Sequence, residues 1–411
     1  MINWNDKYAA RAAFMNASEI RDLFKLLEED DILSFAGGFP DPKLLPGDDF
    51  REAYNAILQD GNAGLQYSLS EGFPPLRNWI AEHMKSLGVQ CSIDNILITS
   101  GSQQALDFLA KLFLSPGDTV LVTRPTYLGA LQVFNSFQAR YAEMSLDLDD
   151  PVESRPSQAK LAYVIPESSN PTGHSLTERE RLKALQVASA FDVPIIEDAA
   201  YEALRYDGDK IPPILATEAA LNGGIDQCRT IYCGTFSKTL SPGIRIGWIV
   251  ASQPLIEKLV LLKQAADLNS SALNQMVLHR VCSKIYDGHL NRIRSEYRRR
   301  RDNVLASLER YMPEEVTWTT PQGGMFIWVT LAPGFDCKRL LAAAITSKRV
   351  AFVPGQPFHV GGDGANTLRL SFTLATEELA DEGIRRLAGL VRQARQLGLH
   401  SSFGPIARDA V

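Results

Sequence analysis

The sequence is poor in the residues that build metal centres and disulfide frameworks. It has only five cysteines, an odd number, and Cys91, Cys228, Cys233, Cys282 and Cys337 include no C-x-x-C pair. That spacing offers neither a disulfide framework nor a zinc site, and it fits a reducing cytosol. The six histidines are scattered, with no H-E-x-x-H or similar cluster, so no metal is indicated. No run of about eighteen apolar residues occurs, and the first residues, MINWNDKYAARAAF, lack the apolar centre of a signal peptide. A net positive charge is also lacking. A net charge of −6 gives no global attraction to nucleic acid or to an anionic membrane. The densest basic run, YRRRRDN at 297–303, sits in a helix-like stretch beside Glu296 and Asp302 and reads as a solvated helix face. The expectation is a cytoplasmic protein without nucleic-acid or membrane partners.

What the chain does have is 45% hydrophobic residues over 411 positions, enough for a large core and two or three domains. Its middle alternates short apolar runs with helical patterns, which predicts an α/β fold with a mostly parallel sheet. The predicted strands are 95–100, 119–124, 161–166, 193–198, 229–234 and 244–252, with a helix over 102–114 carrying Leu106 and Leu109 on one face. A long helical region follows Gln253 to about Tyr311. Strands at 323–331, 350–355 and 366–372 then predict a smaller α+β C-terminal domain. Before all of this, residues 16–30 predict a helix with Ser18 as its N-cap. The expected division is an N-terminal arm and lid helix (1–50), a large α/β domain (51–280) and a small domain (281–411).

In open α/β sheets, ligands bind beyond the carboxyl ends of the strands. Here each predicted strand delivers polar residues at that end: Ser102 and Gln103, Tyr127, Asn170, Asp198 with Tyr201, and then Thr235, Ser237 and Lys238. Arg245 follows on the next predicted strand, in GTFSKTLSPGIRIGW. An aromatic aldehyde bearing a phosphate would use them all. The helix start at Ser102 suits a phosphate dianion. Ser102, Ser237 and Thr235 add hydroxyl donors, and Arg245 adds a forked cation. Lys238 can condense with the aldehyde. A buried Asp198 would pair with a protonated ring nitrogen, Asn170 and Tyr201 would reach a ring oxygen, and Tyr127 would stack on the ring. That ligand is pyridoxal 5′-phosphate.

SNPTG, EDAAY and GTFSKTLSPGIRIGW, in that order, resemble the class I/II aminotransferases of the fold-type I pyridoxal-phosphate enzymes. NASEIRDLFKLL, SFAGGFPDP, LQYSLSEG, TSGSQQALDF, NQM, PQGGMFIW, FVPGQPF and NTLRLSF are most similar to the 2-aminoadipate/kynurenine aminotransferase branch. The resemblance implies Lys238 as the cofactor lysine, Asp198 at the ring nitrogen, Asn170 and Tyr201 at the ring oxygen and Tyr127 on the ring face. It further implies Ser102, Gln103, Ser237 and Arg245 at the phosphate. Arg369 would bind the substrate α-carboxylate, with Asn170 and the backbone at Gly38. Tyr67 would reach the phosphate of a neighbouring subunit, implying a homodimer with shared sites. Arg21, in the NASEIR segment, would meet the distal carboxylate of an acidic substrate. One departure is EDAAY, where the family often has EDDPY or EDDAY; Asp198 and Tyr201 keep their places.

Each residue also has a plainer reading. Lys238 and Arg369 read alone as surface cations, Asp198 as a helix cap, Asn170 as a turn starter, and Tyr127 and Tyr67 as packing aromatics. Arg245 reads as a solvent-facing strand residue, Arg21 as a solvated helix residue and Gly38 as a turn. The combined motifs favour amino transfer between an L-amino acid (2-aminoadipate, glutamate or an aromatic one) and a 2-oxo acid, by ping-pong kinetics. The alternatives are a β-lyase, racemase or decarboxylase on the same scaffold, because fold does not fix reaction. A non-catalytic regulator with an aminotransferase-like domain is more remote.

Overall fold

The computed structural model describes residues 2–15, 31–152 and 159–396. Ser18 and Arg21 lie outside the described residues. The strands are β1 (Leu33–Ser34), β2 (Ile96–Thr99), β3 (Thr119–Val122), β4 (Arg140–Glu143), β5 (Ala159–Val164), β6 (Ile195–Asp198) and β7 (Thr230–Thr235). There follow β8 (Gly247–Val250), β9 (Thr317–Trp318), β10 (Phe326–Thr330), β11 (Val350–Ala351), β12 (Val353–Pro354) and β13 (Thr367–Ser371). The α-helices are α1 (Gly47–Gln59), α2 (Pro74–Ser86), α3 (Ser102–Phe113), α4 (Leu128–Ser136) and α5 (Glu178–Ala190). After them come α6 (Ile214–Asn222), α7 (Gln253–Ala266), α8 (Ala272–Tyr311), α9 (Cys337–Ala343) and α10 (Glu377–Gln396).

The main sheet has seven strands in the order β2-β8-β7-β6-β5-β3-β4. Only β8 runs antiparallel to its neighbours; the rest pair in parallel. Strands β2, β6, β7 and β8 are buried at every position. Burial on both faces explains why the sequence shows unbroken apolar runs there instead of alternation. The edge strand β4, RYAE, is half exposed and has no such run.

A second, antiparallel sheet, β12-β13-β10-β9, carries the C-terminal part. The N-terminal segment joins it: β1 pairs in parallel with β11, Leu33 opposite Val350, and Ser371 N–H donates to Phe35 O at 2.7 Å. Helix α8 runs unbroken through residue 280 and packs against α1, α2 and α10.

Two sequence expectations need correction. Arg245 is not on a strand: Pro242–Ile244 form a 3-10 turn, Arg245 has φ of 56°, and β8 starts only at Gly247. A left-handed residue cannot continue a strand. The basic run on α8 is not a uniformly solvated face either. Arg298 and Arg299 are exposed, but Arg300 and Arg301 are buried. Arg300 pairs with Asp41 at 2.7 Å and Glu296 at 2.6 Å, while Arg301 pairs with Asp207 and with Asp302 at 2.6 Å. Glu296 and Asp302 are local, but Asp41 and Asp207 come from distant loops, so local charge pattern could not reveal the burial.

Candidate active site

At the end of β2 the chain turns through Gly101, at φ of 86°, and starts α3 at Ser102. Strand β8 lies beside this turn, with Gly247 opposite Thr99. A Cβ on Gly247 would stand 2.7 Å from the Ser102 nitrogen, and one on Gly101 would stand 2.5 Å from Arg245 Nη2. Glycine at both places lets a helix N-terminus and a guanidinium approach each other. Arg245 Nη2 donates to Ser100 O at 3.3 Å, and Nη1 donates to Pro242 O at 3.1 Å and Ser237 Oγ at 3.5 Å. Thr235 Oγ1 donates to Ser237 Oγ at 2.9 Å and accepts from Ser237 N–H at 3.1 Å. No carboxylate pairs with Arg245 among the described residues. Helix end, hydroxyls and free cation together form a cradle for an anion. Gln103 stands at the second position of α3, and its side-chain amide donates to Gly129 O at 2.9 Å, tying α3 to α4.

Beside this cradle stands Asp198, at the end of β6 and 3% exposed. Its Oδ2 accepts from Tyr163 O–H at 2.7 Å, while Oδ1 is buried without a hydrogen-bond partner. Burial pushes the carboxyl up to about 6, opposed first by the Tyr163 bond and then by the Ala200 backbone N–H and the nearby Lys238 charge. Tyr201 is buried edge-on against Phe326, with centroids 5.8 Å apart. Burial raises its phenol well above the ordinary range. The Tyr127 ring lies over Gly129, where a Cβ would come within 2.5 Å of it, and burial with the Asp198 charge pushes its phenol up to about 12.

Lys238, just past β7 and half-buried, donates through Nζ to Gly38 O at 3.1 Å. Burial, then Arg369 and Arg245, push its amine down to about 8. Arg369 on β13 is only 2% exposed, which rules out the surface reading. Its Nη1 donates to Asn170 Oδ1 at 2.8 Å and Nη2 to Ala36 O at 2.9 Å; Nε has no partner. Phe326 and Phe358 flank the guanidinium, with centroids at 4.2 and 5.4 Å. Burial lowers Arg369 to about 10, so it stays charged at neutral pH. No carboxylate offsets that charge among the described residues. A buried, uncompensated guanidinium is costly, and an incoming anion would offset it. Gly38 fits tightly here: a Cβ would be 2.9 Å from the Phe326 ring.

Asn170 is held by an anchor that sequence reasoning missed. Glu167 is buried between Arg181 and Arg205, each at 2.8 Å, and accepts from Ser175 Oγ at 2.6 Å. Arg205 also donates to Gln322 at 2.6 Å, so the Asn170 loop is fastened to the turn that leads into Phe326. Tyr163, Phe326 and Phe358 were missed as well. A phenol in a strand that is apolar but for one lysine is a signal for Tyr163; apolar rings give none. Tyr67 stays apart: it is 79% exposed, and its phenol has no hydrogen bond among the described residues.

Comparison with known proteins agrees with this geometry. Residues 36–387 match the family described as aminotransferase class I and II. The chain is 39% identical to aromatic-amino-acid aminotransferase 1 of Thermococcus litoralis over 95% of both chains. It is 40% identical to 2-aminoadipate transaminase of Thermus thermophilus, over 94% of this chain and 96% of that one. Among solved structures, Pyrococcus horikoshii kynurenine aminotransferase, in complex with PMP, KYN as substrates and KYA as products, superposes with a TM-score of 0.87. That pair shares 41% identity over 95% of this chain and 98% of the other. The chain belongs to the class I and II aminotransferases, pyridoxal-phosphate-dependent enzymes of fold type I that exchange an amino group between amino acids and 2-oxo acids.

Proposed function

We propose that this aminotransferase takes its amino group from 2-aminoadipate, glutamate or an aromatic L-amino acid and passes it to a 2-oxo acid in two half-reactions. The observation that carries this reading is Arg369, a buried cation that lacks an anion and shares the Ala36–Gly38 loop with the Lys238 amine. One guanidinium can hold the α-carboxylate common to all these substrates. The named relatives support the choice of side chains.

The residues fit the cofactor. The unpartnered Oδ1 of Asp198 would take the ring N–H, and the cradle of Ser102, Gln103, Ser237, Thr235 and Arg245 would hold the phosphate. Asn170 and Tyr201 would serve the ring oxygen, and Tyr127 would cover the ring. When bound, pyridoxal phosphate supplies an electron sink conjugated to the substrate Cα. Arg369 and Asn170 fix the carboxylate, with Gly38 lining the same wall. Lys238 Nζ, neutral in about a tenth of molecules at pH 7 given its lowered proton affinity, takes the Cα proton.

A homodimer belongs to this reading, with Tyr67 reaching the partner's phosphate site. Its support is the exposure of Leu65, Tyr67 and Leu69 in one stretch. We retain the division at 50 and 280 and a cytoplasmic location on the same footing; five free thiols favour the latter. Arg21→Ala tests the distal-carboxylate role: it should weaken acidic substrates selectively, and equal losses on aromatic ones would end that idea.

The test is a half-reaction screen. Holoenzyme is mixed with single amino acids, without oxo acid, while the cofactor's visible absorption is followed. Rapid bleaching by acidic or aromatic amino acids supports the reading. A panel in which neither group bleaches it overturns the substrate assignment.

A further inference from the structure

Tyr163 is among the largest fully buried side chains, in a strand of otherwise apolar residues and one lysine. A phenol in such a place needs a hydrogen-bond partner. Its partner is Asp198 Oδ2 at 2.7 Å, and its ring is braced edge-on by Phe134, with centroids 5.8 Å apart. Two features distinguish this bond. The other carboxylate oxygen, Oδ1, is buried and unpartnered. No lysine, arginine or histidine is paired with Asp198 among the described residues. A neutral donor can orient a carboxylate without cancelling its charge, which an arginine in the same place would do.

We propose that Tyr163 is a positioning residue: its hydroxyl holds Asp198 Oδ2 so that Oδ1, with the charge uncancelled, is left for the protonated ring nitrogen of pyridoxal phosphate. This rests on the reading of Asp198 given above. The titratable groups facing Asp198 are Tyr163 from β5, Cys233 from β7, Lys238, Tyr127 and Tyr201. Burial raises the three phenols and the thiol, so only Asp198 and Lys238 change charge near neutrality. The Tyr163 bond restrains the upward shift of the Asp198 carboxyl. Without that bond the carboxyl protonates more easily, so its loss weighs more as pH falls toward 6.

Tyr163→Phe keeps the ring and removes the hydroxyl. Cofactor-free protein is titrated with pyridoxal 5′-phosphate, and separately with its 1-deaza analogue, in which carbon replaces the ring nitrogen; binding is read from the visible absorption. The variant should raise the Kd for pyridoxal phosphate about tenfold near pH 8, the worth of one hydrogen bond to a charged group, and more near pH 6.5. The Kd for the deaza analogue should match the wild type. Equal losses for both ligands would mark a packing defect and overturn the proposal, as would no loss for either. Should Tyr163→Phe fold poorly, 3-fluorotyrosine at this position, a stronger donor of nearly unchanged shape, should lower the pyridoxal phosphate Kd; no change there also overturns it. If the wild type itself does not bind pyridoxal phosphate, the reading of the site falls first and this inference with it.

Discussion

Lys238 and Arg369 donate to carbonyls two residues apart in one loop: Lys238 Nζ to Gly38 at 3.1 Å, and Arg369 Nη2 to Ala36 at 2.9 Å. The amine that moves the proton and the cation that holds the carboxylate therefore share one backbone reference. Lys238→Ala should cut turnover by about 10⁴-fold or more, at or beyond the top of the usual range for loss of one general base, because the covalent anchor goes too. Its melting temperature should stay close to that of the wild type. Steady-state kinetics and a thermal scan check both; turnover within tenfold of normal would refute the assignment.

Arg369 sets function against stability. Arg369→Met removes a buried charge that has no anionic partner in the protein alone. The cofactor-free variant should melt at or above the wild-type temperature. Its kcat/KM should fall by roughly 30-fold to several thousand-fold on every amino acid, the cost of about 2–5 kcal/mol for losing a buried charged partner. A fall confined to one class of substrate would contradict the common-handle role.

Asp198 gives a pH signature. Its folded carboxyl lies at about 6, above the unfolded value of 3.8. The group therefore favours folding below 3.8, and that contribution is lost as pH rises through about 6. Asp198→Asn should stabilise cofactor-free protein near pH 7.5, by about 3 kcal/mol at most. The gain should disappear near pH 4, and denaturant melts at the two pH values would show it.

Lys238 gives a second one. With its amine pushed down to about 8, the reaction of the amino form of the enzyme with a 2-oxo acid needs the neutral amine. Its rate should rise with pH and level off above about 8. Stopped-flow rates that are flat from pH 6 to 9 would exclude Lys238 as the base.

Gly247→Ala probes the anion cradle. The added methyl would stand 2.7 Å from the Ser102 nitrogen. Overpacking of about 1–3 kcal/mol corresponds to a loss of roughly 5- to 150-fold in affinity for pyridoxal phosphate. Binding titrations of inorganic phosphate and of pyridoxal, which lacks the phosphate, would localise the damage.

The inner strands were legible because burial on both faces forces unbroken apolar runs. Lys238, Asp198, Asn170, Tyr127, Tyr201 and Ser102 were legible as polar residues at the ends of those runs. Arg245 was legible as a residue but not as a conformation, since a left-handed φ leaves no mark on an arginine. Glu167 with its two arginines, and the burial of Arg300 and Arg301, escaped notice because Arg181, Arg205, Asp41 and Asp207 each lie well outside the local stretch they bind. Tyr163 escaped because its bond to Asp198 crosses between neighbouring strands. Tyr67 stands apart from the cluster within one chain.

The pairing of β1 with β11 joins Leu33 to Val350, segments far apart in the chain. The stretch that supplies Ala36 and Gly38 leaves the ribosome long before its sheet partner β11. Lys238 thus has no Gly38 carbonyl set in place, and Arg369 no Ala36 carbonyl, until β11 has been made. Contacts of such long sequence separation form late and slowly. A growing chain would complete its main sheet, whose last strand in sequence is β8, with the catalytic pocket still open.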